Sequence, residues 1–394
     1  MKRVLTILLL LLLLLLPVIS VVGQNQRKKI EVFTNTNIET LMICYELAET
    51  GGWNFPSNYC HTLNEVVRER FKAFRQHETI ETMNMLLQKG FWLDRMVHVV
   101  LNSEPFPKAK TVYTLSEKNA SLLSGNPKKA QQMIDEFVVQ LSEFYRDAEL
   151  HFFFTAYKDY YTSVNNEVRA HLPDDGFIEA MEGFYGKSAT SYHLIPSPIM
   201  KVGSGFGPQI RNEKGMVVCN VFGPLIRTKD PEVFGHGYGS KYKILNITRH
   251  EFGHAFVNPA TEMSQNKELI QQYAYLYEPI KSNMRELGYT TWWICVTEHI
   301  VRLGEVRLSN QMDTGTKTKK LRDHHVENKG FVYLPHLEEC MLEYEHNRDQ
   351  YPTFESFMPK LLRSFAFVDH EHTQEDDLWL LVFRYVLRSY LSWL

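Results

Sequence analysis

The apolar positions change period along the chain. Residues 29–34 alternate polar and β-branched side chains, the spacing of a half-buried strand. Helical spacing then takes over. Leu63, Val66, Val67, Phe71 and Phe74 share one helical face, and Met133, Phe137, Leu141 and Phe144 share another. Residues 147–186 continue the helical pattern, rich in Phe and Tyr, with breaks at Pro173 and Gly176. Near residue 190 the texture changes. Residues 192–200 carry two prolines and read as extended. Residues 202–208, VGSGFGP, form a glycine-rich turn, expected to be a loop between strands because no helix start or lysine follows at the spacing of a phosphate cradle. Residues 215–222, GMVVCNVF, are the strongest strand in the chain, and glycines 235, 237 and 239 mark a further loop. Helices are predicted over 262–286, 291–308, 335–347, 353–362 and 374–391, with the polar stretch 317–329 as a surface loop. The class is α+β. A mainly helical part with a first strand spans 24–189, and a part holding the sheet and further helices spans 190–394.

At 394 residues and 44% hydrophobic composition the chain can bury a large core, as one large domain or two intimate ones. A net charge of -3 with the two signs well mixed gives no basic stripe for nucleic acid. Lys2 and Arg3 precede an apolar, leucine-rich run that ends at Pro17, followed by small or branched residues to Gly23. Residues 1–23 read as a secretory signal peptide, with an uncleaved N-terminal anchor as the alternative. The expected location is therefore secreted or periplasmic, with no stable membrane span after cleavage. The five cysteines, Cys44, Cys60, Cys219, Cys295 and Cys340, are odd in number, so at least one is unpaired within the chain; Cys44 and Cys60 are a candidate bridge. No CxxC pair offers a thiolate zinc cluster.

The chemistry concentrates at RHEFGHAF, residues 249–256. On a helix His250 and His254 sit at i and i+4, so both rings point to one spot, a geometry that suits a single Zn2+ ion. Glu251 stands one residue round the helix, placed to act as general base on a zinc-activated water. The frame is apolar on both sides, from Ile244, Leu245 and Ile247 to Phe252, Ala255, Phe256 and Val257. A buried helix must compensate its charges, which favours a metal. Gly253, poor in a helix interior, is expected to admit another backbone closely.

A catalytic zinc needs a third protein ligand. The metzincin extension is excluded, because Val257 and Ala260 stand where it requires glycine and histidine. Glu298 is the leading candidate, since Trp292 to Val301 is apolar except at Thr297, Glu298 and His299. Glu262, Glu305 and the run Asp323-His324-His325 are its rivals. Glu305 lies two turns beyond Glu298 on the same face, placed to hold Arg302 or a histidine, and His299 points about 100° away. For the developing oxyanion, Tyr273, Tyr275, Tyr277, His236 and Tyr238 are candidates. Asn119-Ala120-Ser121 and Asn246-Ile247-Thr248 match the N-glycosylation pattern, the second at the start of the buried helix.

On His250-Glu251-Phe252-Gly253-His254 followed by Glu298, the chain resembles the zincin metallopeptidases of the glutamate-ligand group, the gluzincins. With Phe184-Tyr185-Gly186, the Ser-Pro and glycine-rich segment at 197–207 and the core at 250–259, it resembles more closely a family of secreted bacterial proteins known as a domain of unknown function. The resemblance implies a zincin-like fold, a small mixed sheet packed on the active-site helix, and a substrate peptide pairing with the sheet's edge strand, for which 215–222 is the candidate. It implies a zinc metallopeptidase acting on a peptide or protein substrate, with His250, His254 and Glu298 on the metal and Glu251 as base. Two other functions remain open: a non-catalytic binding protein on the same scaffold, and a zinc hydrolase of a non-peptide amide or ester.

Overall fold

The computed structural model describes residues 28–48, 62–213, 215–227, 235–312 and 315–368. The leader at 1–23, Cys60 and the helix expected over 374–391 lie outside the described residues. One mixed sheet contains β1 (Ile30–Val32), β2 (Ser191–Pro196), β3 (Gly205–Phe206), β4 (Gln209–Asn212) and β5 (Gly215–Phe222). β1, β2 and β5 lie side by side in parallel, with Tyr192 opposite both Ile30 and Val218. β3 and β4 pair antiparallel with the other side of β5.

The expectation that residues 215–222 form the edge strand is therefore corrected. β5 has β2 on one side and β3 and β4 on the other, and Val217 to Phe222 are all buried. The near-continuous apolar run is the signature of a strand covered on both faces. The outer edge belongs to β3, inside the stretch 202–208 expected to be a plain loop, and to β4, which follows it.

Side-chain alternation divides the sheet between two cores. Ile195, Val217, Cys219 and Val221 face a layer built from the first half of the chain. Its helices are α1 (Thr36–Leu47), α2 (Thr62–Phe71), α3 (Glu78–Gln88), α4 (Leu93–Leu101), α5 (Glu117–Leu123) and α6 (Pro127–Asp147). The longest, α6, starts where the Asn126 side chain accepts the N–H groups of Lys128 and Lys129 with Pro127 in the first turn. It buries the stripe Ile134, Phe137, Leu141 and Phe144. Next come α7 (Leu150–Ala156), α8 (Lys158–Ala170) and α9 (Phe177–Tyr185). Val164, Val168, Phe177 and Met181 of α8 and α9 already join the second core. The helical part before residue 190 is thus shared between both layers.

Tyr192, Leu194, Val218 and Phe222 face the second core. Its helices are α10 (Lys241–Thr261), α11 (Ser264–Gln272), α12 (Lys281–Glu286), α13 (Trp292–Met312), α14 (Gly315–Asp323), α15 (Leu334–His346) and α16 (Phe354–Arg363). The helix expected over 262–286 is broken into α11, a 3-10 stretch at Ala274–Ile280 containing Pro279, and α12. The surface loop expected over 317–329 is also corrected. It is the end of α14 and a π-helical turn at His324–Asn328, and it buries Leu321 and His325, which are four residues apart. Among the described residues no helix is long and apolar enough to cross a membrane.

Candidate metal centre

α10 carries the histidines. The Ser240 side chain caps its start by accepting the Lys243 N–H. One side of α10 lies on the sheet and another on α13, so Ile244, Phe252, Ala255, Phe256, Val257 and Ala260 are all buried. Gly253 meets a side chain rather than the backbone expected. A Cβ there would stand 3.1 Å from the Tyr185 hydroxyl, and one at Gly304 of α13 would stand 2.3 Å from the same atom. The Tyr185 ring stacks on Phe256 at 4.6 Å and wedges its phenol between the two helices. The small residues bring α10 and α13 close enough for their polar groups to meet.

Those groups converge. His250 Nε2 and His254 Nε2 are 3.3 Å apart. Glu298 on α13 brings Oε1 to 3.3 Å from His254 Nε2 and Oε2 to 3.8 Å from His250 Nε2. An oxygen of Glu251 and a nitrogen of each histidine lie within 4.8 Å of one another. The opposite ring nitrogens are tied back. His250 Nδ1 is 2.7 Å from Glu305 Oε1, and His254 Nδ1 is 3.1 Å from Asn258 Oδ1. With each Nδ1–H donating to its oxygen, the Nε2 lone pairs face inward, the tautomer a metal needs.

The donor set fits zinc. Bonds of 2.0–2.1 Å to tetrahedral zinc imply donor–donor edges of about 3.3–3.4 Å, the scale of the separations here. Glu298 Oε2 is buried without a hydrogen-bond partner among the described residues, an orphaned acceptor that a cation would satisfy.

The charges support each other around this point. Arg302 Nη1 donates to Glu305 Oε1 at 2.7 Å, and Arg302 Nη2 is 4.0 Å from Glu298 Oε2. Glu305 Oε2 is 3.1 Å from His325 Nε2. Burial alone would raise the Glu305 carboxyl, but Arg302, His250 and His325 hold it well below the usual carboxylate range. Burial likewise opposes ionisation of Glu298, yet His254, His250 and Arg302 bring it down to about 2. Burial opposes the charge on His254 too, but Glu298 dominates the rest and carries it up to about 9. Glu251 differs, because burial raises its carboxyl more than the histidines lower it. Two glutamates of one site are thus pushed apart, the pattern that separates a charge-holding carboxylate from a proton-carrying one.

The structure brings His250, Glu251, His254 and Glu298 together and places Glu305 behind His250. His325 was expected on a solvated loop, and instead is buried against Glu305. His299 is buried with Nδ1 on the Cys295 carbonyl, away from the centre. The five oxyanion candidates have other partners or surroundings. Tyr277 donates to the Tyr289 carbonyl, the His236 ring pairs with Ser163, Tyr238 lies against Phe222, Tyr273 packs on Phe365 and Tyr275 is exposed. The phenol beside the centre is Tyr289, which interacts with Glu298 and Arg302 and is raised by burial and by the Glu298 charge. It sits in the connection between α12 and α13, and no spacing in the sequence points to it. Asn258 was legible, four residues beyond His254 on one helical face.

The sheet edge reaches the same place. A Cβ at Gly205 would stand 2.8 Å from Glu251 Oε1, and one at Gly207 would stand 2.0 Å from the Glu251 carbonyl oxygen. Only glycine lets the outer strand pass so close to α10.

Residues 53–364 match the family described as a domain of unknown function (DUF4932), and the chain belongs to that family. No curated protein and no solved structure matches the chain.

Proposed function

We propose that this DUF4932 protein is a secreted or periplasmic zinc-dependent peptidase with a zincin-type arrangement of sheet edge, motif helix and glutamate-bearing helix. The observation that carries the reading is the convergence of His250 Nε2, His254 Nε2 and the Glu298 carboxylate, with Glu251 beside them and Glu305 behind His250. His250, His254 and Glu298 would hold the metal. Bound there, zinc supplies a Lewis acid that lowers the pKa of a water molecule to about 7. Glu251 takes the proton of the attacking water and hands it to the leaving amine, a role that suits a carboxyl raised by burial. Tyr289 and Arg302, which both interact with Glu298, would supply a phenol and a guanidinium to the negative charge growing on the carbonyl oxygen. The outer edge of β3 and β4, beside Glu251, offers backbone pairing to an extended peptide. The basic and apolar leader motivates the location.

The test is zinc content and peptide hydrolysis in three proteins. The parent should hold about one zinc per chain, lose peptide hydrolysis to a chelator and regain it with zinc. Glu251→Gln should keep the metal and lose roughly 10²–10⁴-fold in rate. Glu298→Ala should lose metal affinity and activity together. If Glu251→Gln releases zinc while Glu298→Ala retains it, the roles of base and ligand are wrong. A parent that binds no zinc after reconstitution refutes the centre. Cleavage of esters or non-peptide amides alone would replace the peptidase with a different zinc hydrolase.

A further inference from the structure

We infer that the large cavity beside the metal centre selects a peptide with large apolar side chains at alternate positions on one side of the cleaved bond; this rests on the peptidase reading. The cavity holds about 1290 Å³. It shares three walls with the centre. Ser204 and Phe206 line it and flank Gly205, the residue packed against Glu251. Ile294 lines it one helical turn before Glu298. Leu287, Gly288 and Thr290 line it on either side of Tyr289, whose phenol interacts with Glu298 and Arg302. His250, Glu251, His254 and Glu298 are not among its lining residues. A chain with its reacting carbonyl at Glu251 therefore passes beside the cavity and enters it with side chains rather than with the scissile bond.

The lining sets the chemistry of those side chains. Met200, Phe206, Leu287, Trp293 and Ile294 give an apolar and aromatic surface. The volume exceeds the about 300–1,000 Å³ of ordinary small-ligand pockets, so it takes more than one side chain. A peptide paired with β3 and β4 is extended and sends every second side chain to the same side, about 6.5–7 Å apart. Charge narrows the choice further. Arg95, Lys118, Lys201 and Lys267 line the cavity with the two carboxylates Glu46 and Asp94, and Lys118 Nζ stands 3.7 Å over the Trp293 ring. Lysine and arginine side chains of a substrate meet like charge there.

The experiment digests a library of internally quenched decapeptides with the zinc-loaded full chain. Cleaved sequences should be enriched in Phe, Leu, Met or Trp at two positions two residues apart on one side of the bond, and depleted in Lys and Arg at both. The kcat/KM ratio of a Phe-Gly-Phe peptide over an Ala-Gly-Ala peptide should fall roughly tenfold or more in Ile294→Asp, the scale for apolar groups in a hydrophobic pocket. Ile294→Phe narrows the cavity and should shift selection from Trp and Phe toward Val and Ala, so the inference does not depend on one variant folding. Fluorescence anisotropy of a labelled Phe-Gly-Phe peptide on the Glu251→Gln protein reads binding without turnover, and Ile294→Asp added to that protein should weaken it. Cleavage with no apolar preference overturns the pocket and leaves the peptidase standing. Tight, Ile294-dependent peptide binding with no cleavage by the parent keeps the pocket and overturns the peptidase. The absence of both binding and cleavage overturns the pocket, and so does displacement of the peptide by palmitate in preference to unlabelled peptide.

Discussion

Glu305→Gln keeps the size of a buried side chain and removes its charge. Glu305 accepts from His250 Nδ1 and Arg302 Nη1 on one oxygen, each at 2.7 Å, and from His325 Nε2 on the other at 3.1 Å. A glutamine oxygen can keep the first two bonds, and its NH2 group then faces His325, whose imidazole can answer by changing tautomer. The lost quantity is therefore electrostatic. His250 loses its anionic partner and its ring is less firmly held, which by the usual scale of such outer partners costs about 10–100-fold in zinc affinity, or about 1.4–2.7 kcal/mol. Arg302, bonded then to a neutral amide, has Glu298 at 4.0 Å as its remaining carboxylate and competes with the metal for it. Glu305→Ala strands three donors and should cost about 3–5 kcal/mol of stability, whereas glutamine should cost less. Chelator competition gives the zinc Kd, and chemical denaturation of metal-free protein gives the stability. An unchanged Kd with lowered stability would refute the role behind His250 and leave Glu305 as an anchor for Arg302 alone.

Three further outcomes follow from the geometry. Gly207→Ala puts a Cβ at 2.0 Å from a backbone oxygen of α10, so the outer strand or the motif helix must move; about 1–3 kcal/mol should be lost, and zinc affinity with it, while an unfolding midpoint equal to the parent's would contradict the close approach. Zinc binding near neutral pH should release about one proton, because His254 holds one up to about pH 9 in the metal-free protein; affinity should rise with pH up to that point, and calorimetry in buffers of different ionisation enthalpy showing no proton release would contradict this. Glu39, buried with the Tyr161 hydroxyl donating to it at 2.8 Å, is raised by burial from 4.5 to about 7, so the folded state keeps its proton longer than the unfolded chain. Its stabilising contribution is full below about pH 4.5 and is lost as pH rises through about 7, about 3 kcal/mol in all; Glu39→Gln should flatten that part of the stability profile, and equal slopes for parent and variant would rule it out.

The sequence by itself determined the local facts. Period and punctuation marked β1, β5, α6, α10, α13, α15 and α16, because each buries a stripe or a run that local spacing records. Two imidazoles at i and i+4 must share a face wherever a helix forms, so the convergence of His250 and His254 needed no tertiary information. A carboxylate at Glu298 inside an apolar stretch implied a cation nearby, without saying which one. Tertiary structure decided everything that depends on which elements become neighbours. β5 lies inside the sheet because β3 and β4 cover its second edge, and strands of two and four residues carry too little pattern to announce themselves. Tyr289 and His325 reach Glu298 and Glu305 from a connection and a π-helical turn, and His250 reaches Glu305 only where α10 packs on α13, a packing that fits Tyr185 between Gly253 and Gly304; Arg302, one turn from both glutamates on α13, was legible in the spacing. Spacing along the chain encodes which residues share a face; it carries no record of what that face will meet, and the charges of this centre are balanced across such contacts.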